Sequence, residues 1–299
     1  MNTIIKKGSL LIDRIEFVNF IPKFLSFYNK ASKSDVTKVK RWELWEELYG
    51  FAAVPPGDQG KETARQLLKE AWNRYPEMIE KLKSWSPDEE KIKFVLTKVK
   101  QALDYNQSID LVILHFVGGF EGNCFTAPYD EHRKVICIPI EVEIPEVILA
   151  HELTHVVHGI KAKQSSGWER TIGSLILEEG IATQASKLLV PGLQDKDYIE
   201  HRAGWFEKCN QKRKDILTGI KPYLFESKSE FLYKFTFEKG TTGIEREGYY
   251  AGWELVDYAL KKGETLGALA EIEEENIPVY IEQLLHEYLE QETSGPSKL

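Results

Sequence analysis

Pro145-Glu146-Val147-Ile148-Leu149-Ala150-His151-Glu152-Leu153-Thr154-His155-Val156-Val157-His158-Gly159 is the stretch on which the reading of this 299-residue chain turns. Proline at its start and glycine at its end bracket a helix. Within that helix His151 and His155 stand four residues apart, so both imidazoles share one face and can reach a single metal ion. Glu152 sits about 100° around the helix from His151, at ~3.6 residues per turn. From there it can reach a water on the metal without ligating the metal itself. Zinc suits such a site because it accepts nitrogen and oxygen ligands and keeps a position open for water. Leu149, Leu153, Val156 and Val157 make the opposite, packing face, a division of labour that a chance H-E-x-x-H would not carry. His158 shares the face of His151 but lies one turn beyond His155, out of reach of the same ion. It reads as a polar residue on a cleft rim.

Outward from this helix the texture changes. Upstream, Leu111 to Val117 and Arg133 to Ile140 are β-branched and aromatic runs, which predict two strands flanking a Gly-rich turn at Gly118-Gly119. Before them the chain reads as helices. Asp35 to Tyr49 carries Val36, Val39, Trp42, Trp45, Leu48 and Tyr49 at helical spacing, ahead of a break at Pro55-Pro56-Gly57. Gln59 to Trp85 is interrupted at Pro76. Ser86-Pro87-Asp88-Glu89 then opens a helix whose stripe is Ile92, Val95, Leu96, Val99 and Leu103. Downstream, a helix from about Trp168 to Leu189 stops at Pro191-Gly192, and the rest is mostly helical. The expectation is an α+β, mostly helical chain with a small mixed sheet beside the histidine-bearing helix. Its segments would be a helical region over residues 1–105, a catalytic core over 106–192, a helical lobe over 193–292, and a disordered tail over 293–299.

Bulk properties narrow the function. An excess of 47 acidic over 39 basic residues gives a net charge of −8, which argues against a polyanion as main partner. The lysines between Lys91 and Lys100 read as a solvated helix face. Three cysteines, Cys124, Cys137 and Cys209, with no C-x-x-C spacing, exclude a disulfide framework and a cysteine zinc site. After Lys6 and Lys7 the apolar residues are broken by Asp13, Arg14 and Glu16, too soon for a secretory segment, and no apolar run reaches membrane-spanning length. A soluble, cytoplasmic protein with neither nucleic acid nor membrane as partner is expected.

A catalytic zinc needs a third protein ligand, and Leu177-Glu178-Glu179-Gly180-Ile181-Ala182 on the next helix offers two. Adjacent glutamates point about 100° apart on a helix, so one of them binds, and spacing does not choose between Glu178 and Glu179. With these segments the sequence resembles the gluzincins, the thermolysin-like and neutral-aminopeptidase superfamily, whose third ligand is a glutamate followed by a small residue on the helix after H-E-x-x-H. It is most similar overall to a bacterial family of predicted zinc-dependent proteases that combines H-E-x-x-H, Glu-Gly-hydrophobe-Ala and a later Gly-Tyr-x-x-Gly. All three occur here in that order, the last as Gly248-Tyr249-Tyr250-Ala251-Gly252, within roughly Ile109 to Leu260. The resemblance implies a zincin-like catalytic domain, Glu179 as third ligand, one zinc per chain, and a peptide or protein as substrate. It further implies that Glu152 is the general base and that Tyr249 hydrogen-bonds the oxyanion, with Tyr250 a core or helix-start residue. One departure concerns the aspartate that thermolysin-like enzymes place four residues after the third ligand. Thr183 stands there and could orient a histidine only weakly.

Neutral aminopeptidases carry a glutamate near the edge strand that binds a free amine, and Gly118-Gly119-Phe120-Glu121-Gly122-Asn123 matches that segment only loosely. It reads as a flexible turn. His115 reads as a satisfied strand residue, and His132, His201 and His286 as surface or helix residues. Two rival functions stay open at this point: an aminopeptidase restricted to short peptides, and a catalytically silent protein-binding or regulatory module. Glu152 argues against the second, since metal binding alone would not require it.

Overall fold

Ile15 and Phe17 alternate with Arg14 and Glu16, the period of a half-buried strand, and Arg14–Asn19 forms strand β1 in the computed structural model. The structure describes residues 12–54, 57–164 and 169–294. Lys6, Lys7, Pro55, Pro56, Trp168 and the tail from Gly295 lie outside them, while Thr293 and Ser294 still belong to the last helix. The described residues up to Asp88, with Asn106–Ile144, form one compact unit; Glu89–Tyr105 and the described residues from Pro145 onward form a second. Each unit draws on two stretches of the chain, where the sequence suggests successive segments.

The first unit continues with α1 (Ile21–Ala31), α2 (Lys38–Leu48), α3 (Asp58–Ala71) and α4 (Tyr75–Lys83), the last with Pro76 in its first turn. Its sheet adds β2 (Asp110–Phe116), β3 (Phe125–Pro128) and β4 (Lys134–Pro139) in the order β1-β2-β4-β3. β2 is parallel to both β1 and β4, and only β3 runs antiparallel to its neighbour. The two expected strands therefore do not close a hairpin on Gly118-Gly119, because parallel neighbours need a longer connection. β2 is buried from Leu111 onward, which is why it reads as an unbroken apolar run. Phe24, Phe27, Trp42, Trp45 and Tyr75 fill an aromatic core. Tyr49 and Tyr75 donate to the Val117 and Gly118 carbonyls at 2.8 and 2.9 Å, pinning the end of β2.

His115 lies buried on β2, its ring 4.7 Å from Trp85, and burial takes its imidazole down to about 4 from an ordinary 6.5. The unfolded chain therefore takes up a proton that the folded chain refuses. The stability this neutral ring provides is complete above about pH 6.5 and is lost as pH falls towards 4. At the limit that amounts to roughly 3 kcal/mol, at ~1.4 kcal/mol per pH unit. Denaturant melts between pH 7 and 4.5 should show a shallower loss for His115→Phe than for the wild type. Parallel curves would refute a buried neutral imidazole.

The second unit is helical: α5 (Glu89–Ala102), α6 (Glu146–Lys161), α7 (Ile172–Leu189), α8 (Lys196–Ile199), α9 (Trp205–Gln211), α10 (Arg213–Ile220), α11 (Ser229–Thr236), α12 (Glu247–Lys261), α13 (Leu266–Leu269) and α14 (Ile277–Ser294). α7 is its axis. Every residue from Ile172 to Ser186 is buried, polar side chains such as Glu178, Glu179 and Gln184 included. Ser186 Oγ donates to the Val147 carbonyl of α6 at 3.1 Å, and Gln184 Nε2 to the Trp253 carbonyl of α12 at 3.1 Å. α6 runs past Gly159, the expected stop, to Lys161. Lys161 Nζ donates to the carbonyls of Leu103 (2.8 Å) and Gly267 (2.7 Å), locking the end of α6 in place. Among the described residues no helix is long and apolar enough to cross a membrane.

Candidate metal centre

A buried helix is a costly place for two adjacent carboxylates, since a charge taken out of water must find partners. Glu178 and Glu179 are both buried on α7 and find theirs in opposite directions. Glu178 Oε2 is 3.1 Å from Arg170 Nε. Glu179 Oε2 faces α6, 3.3 Å from His151 Nε2 and 3.5 Å from His155 Nε2, and those two nitrogens are 3.0 Å apart. Burial pushes the Glu179 carboxyl up, but His155 and His151 outweigh it and hold the group well below the usual carboxylate range.

The trio has the chemistry of a metal site. Glu179 Oε2 is buried and makes no hydrogen bond, so its lone pairs stay directed at the two imidazoles. Ligands about 2.0–2.2 Å from a tetrahedral zinc lie roughly 3.3–3.6 Å from one another, close to the separations seen here. Both imidazoles keep about a sixth of their side-chain surface exposed, which leaves the donors approachable. Glu152 is buried on α6, and its charge is felt by His155.

Tyr249 joins this group through a helix crossing. A Cβ on Gly180 would strike the Gly252 carbonyl oxygen, and one on Gly252 the Ile176 carbonyl oxygen, so α7 and α12 touch backbone to backbone. Only glycine permits that approach. The contact puts Tyr249, three residues before Gly252, close to Glu179, one residue before Gly180. Burial first and the Glu179 carboxylate second push the Tyr249 phenol up, while the Arg246 and Arg170 cations pull it down. The phenol remains an O–H donor at neutral pH. Tyr250 has a different setting: it is fully buried against Trp205 and Phe206, and its hydroxyl donates to Asn210 Oδ1 at 2.7 Å.

Other residues fall away from the chemistry. His158 is 1% exposed and belongs to the interior of α6, not to a rim. The Thr183 hydroxyl donates to the carbonyls of Glu179 and Gly180 on its own helix, so it does not orient a histidine. In the first unit, Glu121 accepts from the Gly119 N–H at 2.7 Å. All three cysteines are free and buried, and burial raises the Cys209 thiol to about 12. His132 and His286 are exposed, whereas His201 meets the Trp205 ring edge-on. Arg170 and Arg246 were not legible as site residues. The one available signal for Arg246 was its place one helical turn before Tyr249.

Two histidines and a glutamate from adjoining helices, with a carboxylate between the histidines in sequence, make up a candidate metal-binding trio on an H-E-x-x-H segment. The chain belongs to the family described as Predicted Zn-dependent protease (DUF2268), and the match spans residues 119–278, more than half its length. No curated protein and no solved structure matches it.

Proposed function

We propose that this chain is a zinc-dependent peptidase of the zincin-like, gluzincin kind, with His151, His155 and Glu179 holding the ion. The observation that supports it most is the buried, hydrogen-bond-free Glu179 Oε2 facing two imidazole nitrogens. When bound, zinc supplies Lewis acidity towards water and a peptide carbonyl. Glu152 takes the proton from the attacking water and returns it to the leaving nitrogen. Tyr249, with the Arg246 guanidinium over its ring, directs its O–H to the carbonyl oxygen as negative charge develops there. Arg170 holds Glu178 away from the donor triangle, so that only one of the two carboxylates faces the ion.

Metal content tests the assignment. Protein purified without chelator should carry one zinc per chain by elemental analysis, and Glu179→Ala should lose most of it. Glu178→Ala should keep it. Zinc retained by the first variant and lost from the second would move the ligand to Glu178.

A further inference from the structure

We propose that Arg246 is a specificity-determining residue that binds a carboxylate of the substrate beside the scissile bond. The proposal builds on the peptidase reading, which supplies the position of the bond at Tyr249. Arg246 opens α12 with a left-handed backbone, φ +59°, a conformation uncommon for a residue with a side chain. Its surroundings hold it there firmly. The next residue, Glu247, is fully buried and accepts four hydrogen bonds, from the N–H and hydroxyl groups of Thr241 and Thr242, at 2.7–3.0 Å. The Lys239–Glu245 bridge closes the same turn. Strain kept in place by so many contacts points to a side chain that is needed where it is.

The guanidinium lies 4.0 Å over the Tyr249 ring. It therefore stands next to the group assigned to the developing oxyanion. Beyond that ring, no ion pair takes up its charge among the described residues. Of the neighbouring carboxylates, Glu245 is turned to Arg202 and His201, and Glu247 to the two threonines. The other arginine near Tyr249, Arg170, is matched by Glu178. Among the described residues no carboxylate pairs with Arg246, and its Nε is buried without a hydrogen-bond partner. A buried donor on a cation costs free energy unless something fills it. A planar guanidinium fixed on an aromatic ring is shaped for a carboxylate. On a peptide that carboxylate is the free C-terminus or an acidic side chain near the cleaved bond.

The test uses the full chain, zinc-loaded, in a Glu152→Gln background, so that binding is read without turnover. Three probes separate the sources: dansyl-Ala-Ala-Ala as free acid, the same peptide as C-terminal amide, and dansyl-Ala-Asp-Ala amide. Fluorescence anisotropy should show the free acid or the aspartate peptide binding about tenfold more tightly than the plain amide. The carboxylate source is whichever of the two wins. Adding Arg246→Asn, a residue that tolerates the left-handed backbone, should erase the preference. Arg246→Lys, which keeps the charge, should retain part of it and serves if the asparagine variant melts early. Equal affinity for all three probes, no binding of any, or a preference that survives Arg246→Asn would overturn the inference. The peptidase reading is judged separately, by hydrolysis of a mixed peptide library by the wild type. Cleavage without carboxylate preference would sink Arg246 alone, and preference without any cleavage would support Arg246 while removing the peptidase.

Discussion

Glu152→Gln is expected to keep its zinc and its fold and to lose peptide hydrolysis by about 10²–10⁴-fold, the usual contribution of a positioned general base. The reasoning is local. Glutamine matches glutamate in shape, so the buried position on α6 stays filled. None of the three donors changes, because the trio is His151, His155 and Glu179 and Glu152 is not one of them. What disappears is the capacity to take a proton. The amide oxygen is far less basic than a carboxylate, and the amide NH₂ would present donors to a water that needs an acceptor. Stability should change little, with one electrostatic consequence: His155 loses one of the negative charges that favour its protonated form in the metal-free chain. Initial rates on a cleavable peptide, with zinc content and melting temperature measured on the same preparation, decide the matter. Turnover within a factor of two of wild type would refute Glu152 as base, once contaminating protease is excluded by an inhibitor profile.

The parts of this centre that could be read from the sequence are those set by helix periodicity. His151, Glu152 and His155 sit on one helix, where a spacing of four fixes a shared face whatever surrounds it. The amphipathic stripe on the helix after Ser86 was legible for the same reason, and Ile92, Val95, Leu96, Val99 and Leu103 are all buried. The choice between Glu178 and Glu179 had no such periodic signal. What distinguishes them in the structure is pairing: Glu178 lies against Arg170, and Glu179 against the two imidazoles. Gly180 and Gly252 looked like members of two separate motifs and are in fact the two sides of one backbone contact. β1 was hidden because Arg14 and Glu16 look like interruptions in an apolar stretch, whereas an edge strand exposes every second residue. His158 shows the converse limit. Its place on the wheel near His151 suggested exposure, but the side chain is buried.

Tyr249→Phe is expected to lower kcat by about 10²–10³ with little change in KM, the loss typical of one oxyanion donor. The hydroxyl gains its partner only as charge develops on the carbonyl oxygen, so substrate binding in the ground state does not depend on it. Removing it leaves the ring, and the ring still supports the Arg246 guanidinium. Tyr250→Phe supplies the contrast, because the adjacent hydroxyl has a structural partner. It breaks the bond to Asn210, whose exposed amide can turn to water instead, so stability should fall by the net worth of one hydrogen bond, about 1 kcal/mol. Its kcat should stay within a few-fold of wild type. Rates and unfolding midpoints measured on both variants therefore give opposite patterns: a slow, stable Tyr249→Phe and an active, less stable Tyr250→Phe. The reversed pattern would mean that α12 presents Tyr250 to the substrate. Two active variants would move the oxyanion donor elsewhere, with Arg246 the next cation in line, since its guanidinium lies over the same ring.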